Sequence, residues 1–167
     1  MRRICAWCKR ELAPLTPDSV SDGPISHGIC DDCATLLNSD PRRSAGDFLE
    51  GLKEAVFLVG GGGRVVSANS AARAVVGKEL TVIEDMLAGD VFECANADLP
   101  GGCGKTQHCK ACAIRNSVTE TLATGKSVER VPAYQLKKAA NGVQAKRYLI
   151  STERVGTSVM LRIDEVA

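Results

Sequence analysis

Hydrophobic positions change character along this chain. From about residue 54 they fall into short runs and period-two alternations. Residues 55–59 are an unbroken apolar run, the pattern of a buried strand. Gly60 to Gly63 make a turn and residues 64–68 a second strand, so the pair predicts a hairpin. Asn69 and Ser70 read as the cap of a helix over residues 71–76, closed by Gly77. Residues 81–87 read as a further helical turn. Ile114, Val118 and Leu122 recur every four positions and mark one face of a helix that Gly125 stops. Three strands follow: residues 127–136, where Pro132 signals an edge or a bulge; residues 147–154, after the hairpin turn Asn141-Gly142; and residues 158–166. In the last of these, Val159, Leu161 and Ile163 alternate with Ser158, Arg162 and Asp164, so one face is buried. The order is strand, strand, helices and three strands, an α+β arrangement.

Residues 1–38 lack such a pattern. They carry two Cys-x2-Cys knuckles, Cys5 with Cys8 and Cys30 with Cys33, with 21 residues between. Paired knuckles are a usual way to present four thiolates to a tetrahedral zinc ion. The intervening segment holds Pro14, Pro17, Gly23, Pro24 and Gly28 and little that could build a core, so bound metal would supply the missing folding energy. No strand precedes either pair in a βαβ pattern, which argues against thioredoxin-like chemistry. His27 sits beside the site as an accessory group. Residues 39–53 read as a linker and a short amphipathic helix. Ser44 with Asp47 suggests an N-cap, and Phe48, Leu49, Leu52 and Val56 an apolar face that packs on its own domain or pairs with a second chain. The expected division is therefore a four-cysteine zinc-knuckle module over 1–38, a connector over 39–53 and a second domain over 54–167.

Four more cysteines, Cys94, Cys103, Cys109 and Cys112, fall within 19 residues. Gly, Pro, Asn and Asp between the first two predict a loop. Cys109 and Cys112, three apart, are expected to share a helix face at its start, where the positive end of the dipole favours thiolate. Spacings of eight, five and two residues match neither ferredoxin pattern. That ranks zinc first for this second site, an iron–sulfur cluster next and a labile disulfide third, with His108 as an accessory group. A structural staple is an equal alternative to a sensing role.

The remaining chemistry is mostly exclusion. Eight cysteines in 167 residues, with no apolar run near the ~20 needed to cross a bilayer and no signal-peptide core, place the protein in the cytoplasm and favour metal or redox sites over disulfides. A formal net charge of +1 gives no general pull towards nucleic acid or membrane. Gly102-Cys-Gly-Lys-Thr106 lacks the first glycine of a phosphate loop, because Leu99 stands there, and no strand precedes it. The Gly60–Gly63 run has Val65 where a dinucleotide fingerprint needs glycine. Cys109-x2-Cys112 is followed by Ala113 and not by the histidine of covalent haem attachment. His108 and Cys109 are adjacent, which points them apart and leaves no nucleophile–base pair. Lys137, Lys138, Lys146 and Arg147 make a basic hairpin, read as a solvated face.

The element order, with Ala-Val-Phe-Leu-Val-Gly-x3-Arg-Val-Val-Ser-Ala-Asn-Ser-Ala-Ala at residues 55–72, resembles a PAS (Per-Arnt-Sim) sensory domain over about 110 residues, Asn69 matching the asparagine that often ends its second strand. The segment from Glu93 to Arg115 looks like a cysteine-rich bacterial subgroup of that family. His27-Gly-Ile-Cys-x2-Cys33 resembles the small cysteine modules attached to bacterial signalling proteins. The resemblance implies a five-stranded antiparallel sheet with helices on one face, and a sensor that is not an enzyme. Such a sensor acts through a partner such as a histidine kinase or regulator, or by forming a homodimer. Two other classes stay open: an iron–sulfur electron-transfer protein, and a zinc-ribbon adaptor that binds nucleic acid or protein through residues 1–38.

Overall fold

The computed structural model describes residues 3–13, 26–39 and 41–167, without the side chains of residues 3, 26, 27, 36–39 and 41–45. It forms two compact units, Met1–Phe48 and Leu49–Ala167. The proline- and glycine-rich segment 14–25 lies outside the described residues, as does the side chain of His27.

In the first unit, strand β1 (Arg3–Cys5) pairs antiparallel with β2 (Glu11–Leu12) and parallel with β3 (Ser26–Gly28). Helix α1 (Asp31–Ser39) follows at once, with Asp31 and Asp32 in its first turn, where the helix dipole favours acids. Strands therefore lead into both knuckles, which periodicity did not predict: three-residue strands are too short to show alternation. Helix α2 (Pro41–Glu50) starts earlier than expected. Ser44 lies inside it and is not its cap. Proline is well suited to a first helical turn because its missing N–H has no partner there anyway. Leu52 follows the helix, and Val56 belongs to the next strand.

The second unit is the architecture that the PAS resemblance implied. Strands β4 (Ala55–Val59), β5 (Val65–Ala68), β6 (Val128–Ala139), β7 (Gly142–Val155) and β8 (Ser158–Val166) make one antiparallel sheet in the order β5-β4-β8-β7-β6. Pro132 lies on the edge strand β6, as its missing donor requires. Helices α3 (Ser70–Val76), α4 (Leu80–Ile83), α5 (Ala88–Val91) and α6 (Ala113–Thr124) contribute Ala72, Val76, Ile83, Val91, Ile114 and Val118 to a core shared with Phe57, Val65, Tyr148, Ile150 and Leu161 of the sheet. Phe92 stacks between Phe57 and Tyr148, with ring centroids 5.1 and 5.8 Å away.

Asn69 holds the first half of this unit together. Its side-chain oxygen caps α3 by accepting from the Ala72 N–H and also accepts from the Val56 N–H. Its amide nitrogen donates to the carbonyls of Leu49, Leu52 and Glu54. Nearby, Glu50 accepts from the Ser70 backbone and hydroxyl and pairs with Arg73. The Asn69 bond and the Glu50 pair tie Leu49 and Glu50, the last two residues of α2, into the second unit.

Candidate functional site

The first unit brings four thiols to one point. Cys5 ends β1, and the tight turn after it returns the chain, with the Cys5 N–H on the Arg10 carbonyl at 2.8 Å and the Lys9 N–H on the Cys5 carbonyl at 3.0 Å. Lys9 takes the left-handed conformation this turn needs, with φ 61°. Cys30 precedes α1 and Cys33 lies in its first turn. The sulfurs of Cys5, Cys8, Cys30 and Cys33 all lie within 4.8 Å of one another, and those of Cys8 and Cys30 are 3.7 Å apart. Zinc–sulfur bonds of ~2.3 Å in a tetrahedron put neighbouring sulfurs ~3.8 Å apart. The spacing thus suits one tetrahedral ion, and this cluster could hold a metal ion. Trp7 and Leu12 pack over the thiols, and Trp7 stacks on Phe48 at 4.9 Å. Burial opposes ionisation of Cys5, but N–H groups of Cys8, Cys30 and Trp7 outweigh it and lower this thiol. Burial, and then the crowd of neighbouring thiols, pushes Cys33 up. A cation at the centre would remove that conflict.

The second unit holds a partly open cavity of about 520 Å³ between sheet and helices. Apolar walls come from Val59, Phe92, Ile114, Val118, Leu122 and Leu161, while Cys94, Cys103, Cys109 and Cys112 all line it. The cysteine loop is pinned to its neighbours by one backbone bridge and three ion pairs. Cys94 bridges to Lys137 of β6, Glu93 pairs with Lys78 and Lys137, and Asp98 pairs with Lys138. Two lysines of the basic hairpin, Lys137 and Lys138, are therefore paired with this loop. Gly101, Gly102 and Gly104 all take positive φ, between 73° and 95°, which lets the loop double back.

The helix-face expectation for Cys109 and Cys112 is corrected. Cys109 lies in a 3-10 turn (Gln107–Ala111), and Cys112 is the residue before α6. The Cys109 sulfur accepts from the Gly104 N–H at 3.1 Å and meets the Thr106 hydroxyl at 3.2 Å. Burial works against its ionisation, yet these bonds and the Arg115 charge outweigh burial and lower the thiol. Cys103 accepts from the Gly89 N–H at 3.3 Å, but burial dominates and raises it. No three of these sulfurs gather within 4.8 Å as the first set does. All eight cysteines are free thiols. His108 lines the cavity beside them, and its ring meets Gln107, not Cys109.

Gln135 was missed in the sequence. It is 6% exposed, lines the cavity and donates from Nε2 to the Phe92 carbonyl at 2.7 Å. That bond fixes which end of the amide is which, since a carbonyl cannot accept from Oε1. Oε1 is buried with no partner. A readable signal existed: on β6, Gln135 occupies the same inward parity as Ala133, an apolar-facing position filled by a polar residue.

No family model and no curated protein matches this sequence. Among solved structures, the chain is similar to a domain of a sensory box sensor histidine kinase/response regulator from Geobacter sulfurreducens, at 10% identity over 78% of this chain and 96% of that one, TM-score 0.48. It is also similar to the PAS domain of a Desulfitobacterium hafniense protein, at 18% identity over 70% and 95%, TM-score 0.41. A third is the Rhodobacter sphaeroides LOV protein, at 14% identity over 80% and 67%, TM-score 0.47.

Proposed function

We propose that this protein is a bacterial signalling module whose second unit senses a ligand in its cavity and whose first unit is a structural knuckle around one zinc ion held by Cys5, Cys8, Cys30 and Cys33. The observation that carries the sensor reading is the buried, unpaired Oε1 of Gln135, a residue that lines the cavity. A buried acceptor left empty costs about 1–3 kcal/mol, and an occupant of the cavity that donates a hydrogen bond would supply the missing partner. The knuckle reading rests on thiol spacing close to a zinc tetrahedron's edge. In this reading Cys109, bonded to Thr106 and Gly104, serves as a ligand and not as a nucleophile. Output passes to a partner such as a histidine kinase or regulator, or through a second copy of the chain. Among the described residues no helix is long and apolar enough to cross a membrane.

The test is to purify the whole chain without oxygen, denature it, and identify released small molecules by mass spectrometry and released elements by elemental analysis. Leu122→Trp, which fills the cavity, is the control, with its fold checked by melting. Something beyond one zinc should leave the parent and be missing from the variant. Identical release from both proteins sinks the sensor reading.

A further inference from the structure

We infer that Cys94, Cys103, Cys109 and Cys112 are the ligands of a [4Fe–4S] cluster, and not of a single zinc ion, on the cysteine-lined side of the cavity; resting on the reading of that cavity as a ligand site, this adds a metal centre beside the space that faces Gln135. The four residues are neighbours through an unbroken series of contacts. The Cys94 N–H bonds the Gly89 carbonyl at 2.7 Å, and the Gly89 N–H bonds the Cys103 sulfur at 3.3 Å. Gly104, next in the chain, bonds the Cys109 sulfur at 3.1 Å, and the Cys112 N–H bonds the Cys109 carbonyl at 3.2 Å. All four side chains line the same void.

Their spacing sets them apart from the first set. One tetrahedral zinc draws its sulfurs to ~3.8 Å. The first set already has that geometry, whereas no three sulfurs of the second set come within 4.8 Å of one another. In a [4Fe–4S] cluster each thiolate binds a different iron, and the inorganic sulfides lie between, so the thiols stand further apart around a larger space. The ferredoxin spacings that this loop lacks belong to other loops; what a cluster needs is four thiolates around a void of its size.

Second-layer contacts point the same way. Two of the sulfurs accept backbone N–H bonds, Thr106 adds a hydroxyl, and the Arg115 side chain lies along the loop, 3.3 Å from where a Cβ at Gly104 would sit. Hydrogen bonds to sulfur and nearby charge are the means by which a protein tunes such a centre. Glycine is needed at position 89, where a Cβ would lie 2.6 Å from the Cys103 sulfur and displace it from the N–H.

The test uses the full chain, purified without oxygen and reconstituted with ferrous iron and sulfide, zinc being present throughout. Expected are iron and acid-labile sulfide in equal amounts, a broad visible absorption band, and one zinc per chain retained by the first set. Cys103→Ala and Cys109→Ala should each lose the iron and sulfide while keeping zinc and a parental melting transition. Should either variant fail to fold, alkylation of the parent decides: the four loop thiols should be protected when loaded and labelled after chelation. Two zinc ions per chain without iron, loop thiols labelled equally with and without iron, or a disulfide among the four would each overturn the inference. If an organic molecule is released from the cavity and no iron binds, the cluster falls while the ligand site stands.

Discussion

Replacing Asn69 by alanine removes five hydrogen bonds at one buried point. The side chain is 1% exposed. Without it the N–H groups of Val56 and Ala72 lose their acceptor at 3.0 and 2.9 Å. The carbonyls of Leu49, Leu52 and Glu54 lose a donor at 3.0, 3.3 and 2.7 Å. Water can reach the last two, whose bonds are only partly buried, so their loss counts little. Loss of the helix cap costs about 1 kcal/mol, and two further buried groups left unpaired cost about 1–2 kcal/mol each. The sum is about 3–5 kcal/mol, a large share of a domain stability of about 5–15 kcal/mol. Asn69→Asp separates the two halves of the network. It keeps the acceptor but turns a carboxylate towards three carbonyls, which raises its folded pKa above the unfolded value. The penalty is then absent below the unfolded pKa of ~3.9, grows as pH rises towards the folded pKa, and is full above it. Aspartate should be at least as harmful as alanine at neutral pH, and milder in acid. Urea unfolding is the assay. The sole tryptophan, Trp7, lies in the first unit, so far-ultraviolet circular dichroism and hydrogen exchange in β4 and α3 must report on the second. A loss below about 1 kcal/mol for Asn69→Ala, with an unchanged urea slope, would refute the central role assigned to this side chain.

Three further outcomes are expected. Cys5→Ser should lower zinc content by about one ion per chain and unfold the first unit, as chelation should in the parent, while the second unit's transition stays put; retained zinc would exclude the proposed ligand set. Glu50 is held below the usual carboxylate range by the Ser70 hydroxyl, then by the Ser70 N–H and the Arg73 charge. Its contribution is therefore present above the unfolded pKa of ~4.3 and lost as pH falls through the lower folded value. At 42% side-chain exposure it is worth under about 1 kcal/mol, and a Glu50→Gln variant should show a flatter acid limb in a melting-temperature profile. Thr121→Val leaves the buried Thr152 hydroxyl without the partner it meets at 2.6 Å and frees the Lys126 carbonyl. Unfolding should detect a loss of about 1–2 kcal/mol, and a neutral result would mean the hydroxyl pair adds nothing.

Local signals in the sequence determined much of the second unit. The Asn69 cap and the left-handed closures at Gly77 and Gly125 depend on a few neighbouring atoms, and they stand where the residue types placed them. The sheet's buried parity was readable for the same reason, since side chains alternate strictly along a strand. The β6–β7 hairpin runs further than expected, to Ala139 and from Gly142, because backbone pairing continues where side chains such as Lys138 and Gln144 face water and show no apolar alternation. A spacing of three suits an α-helix and a 3-10 turn alike, so the cysteine pair's placement before α6 waited on backbone hydrogen bonds. Only the tertiary structure decided which thiols meet. Cysteine spacing is one-dimensional; it offered two sets of four, and chain path alone drew the first to within 4.8 Å while spreading the second around a cavity. Gln135 became a candidate for the same physical reason: an unpaired acceptor is visible only once the groups that could have paired with it have been put in place by the rest of the chain.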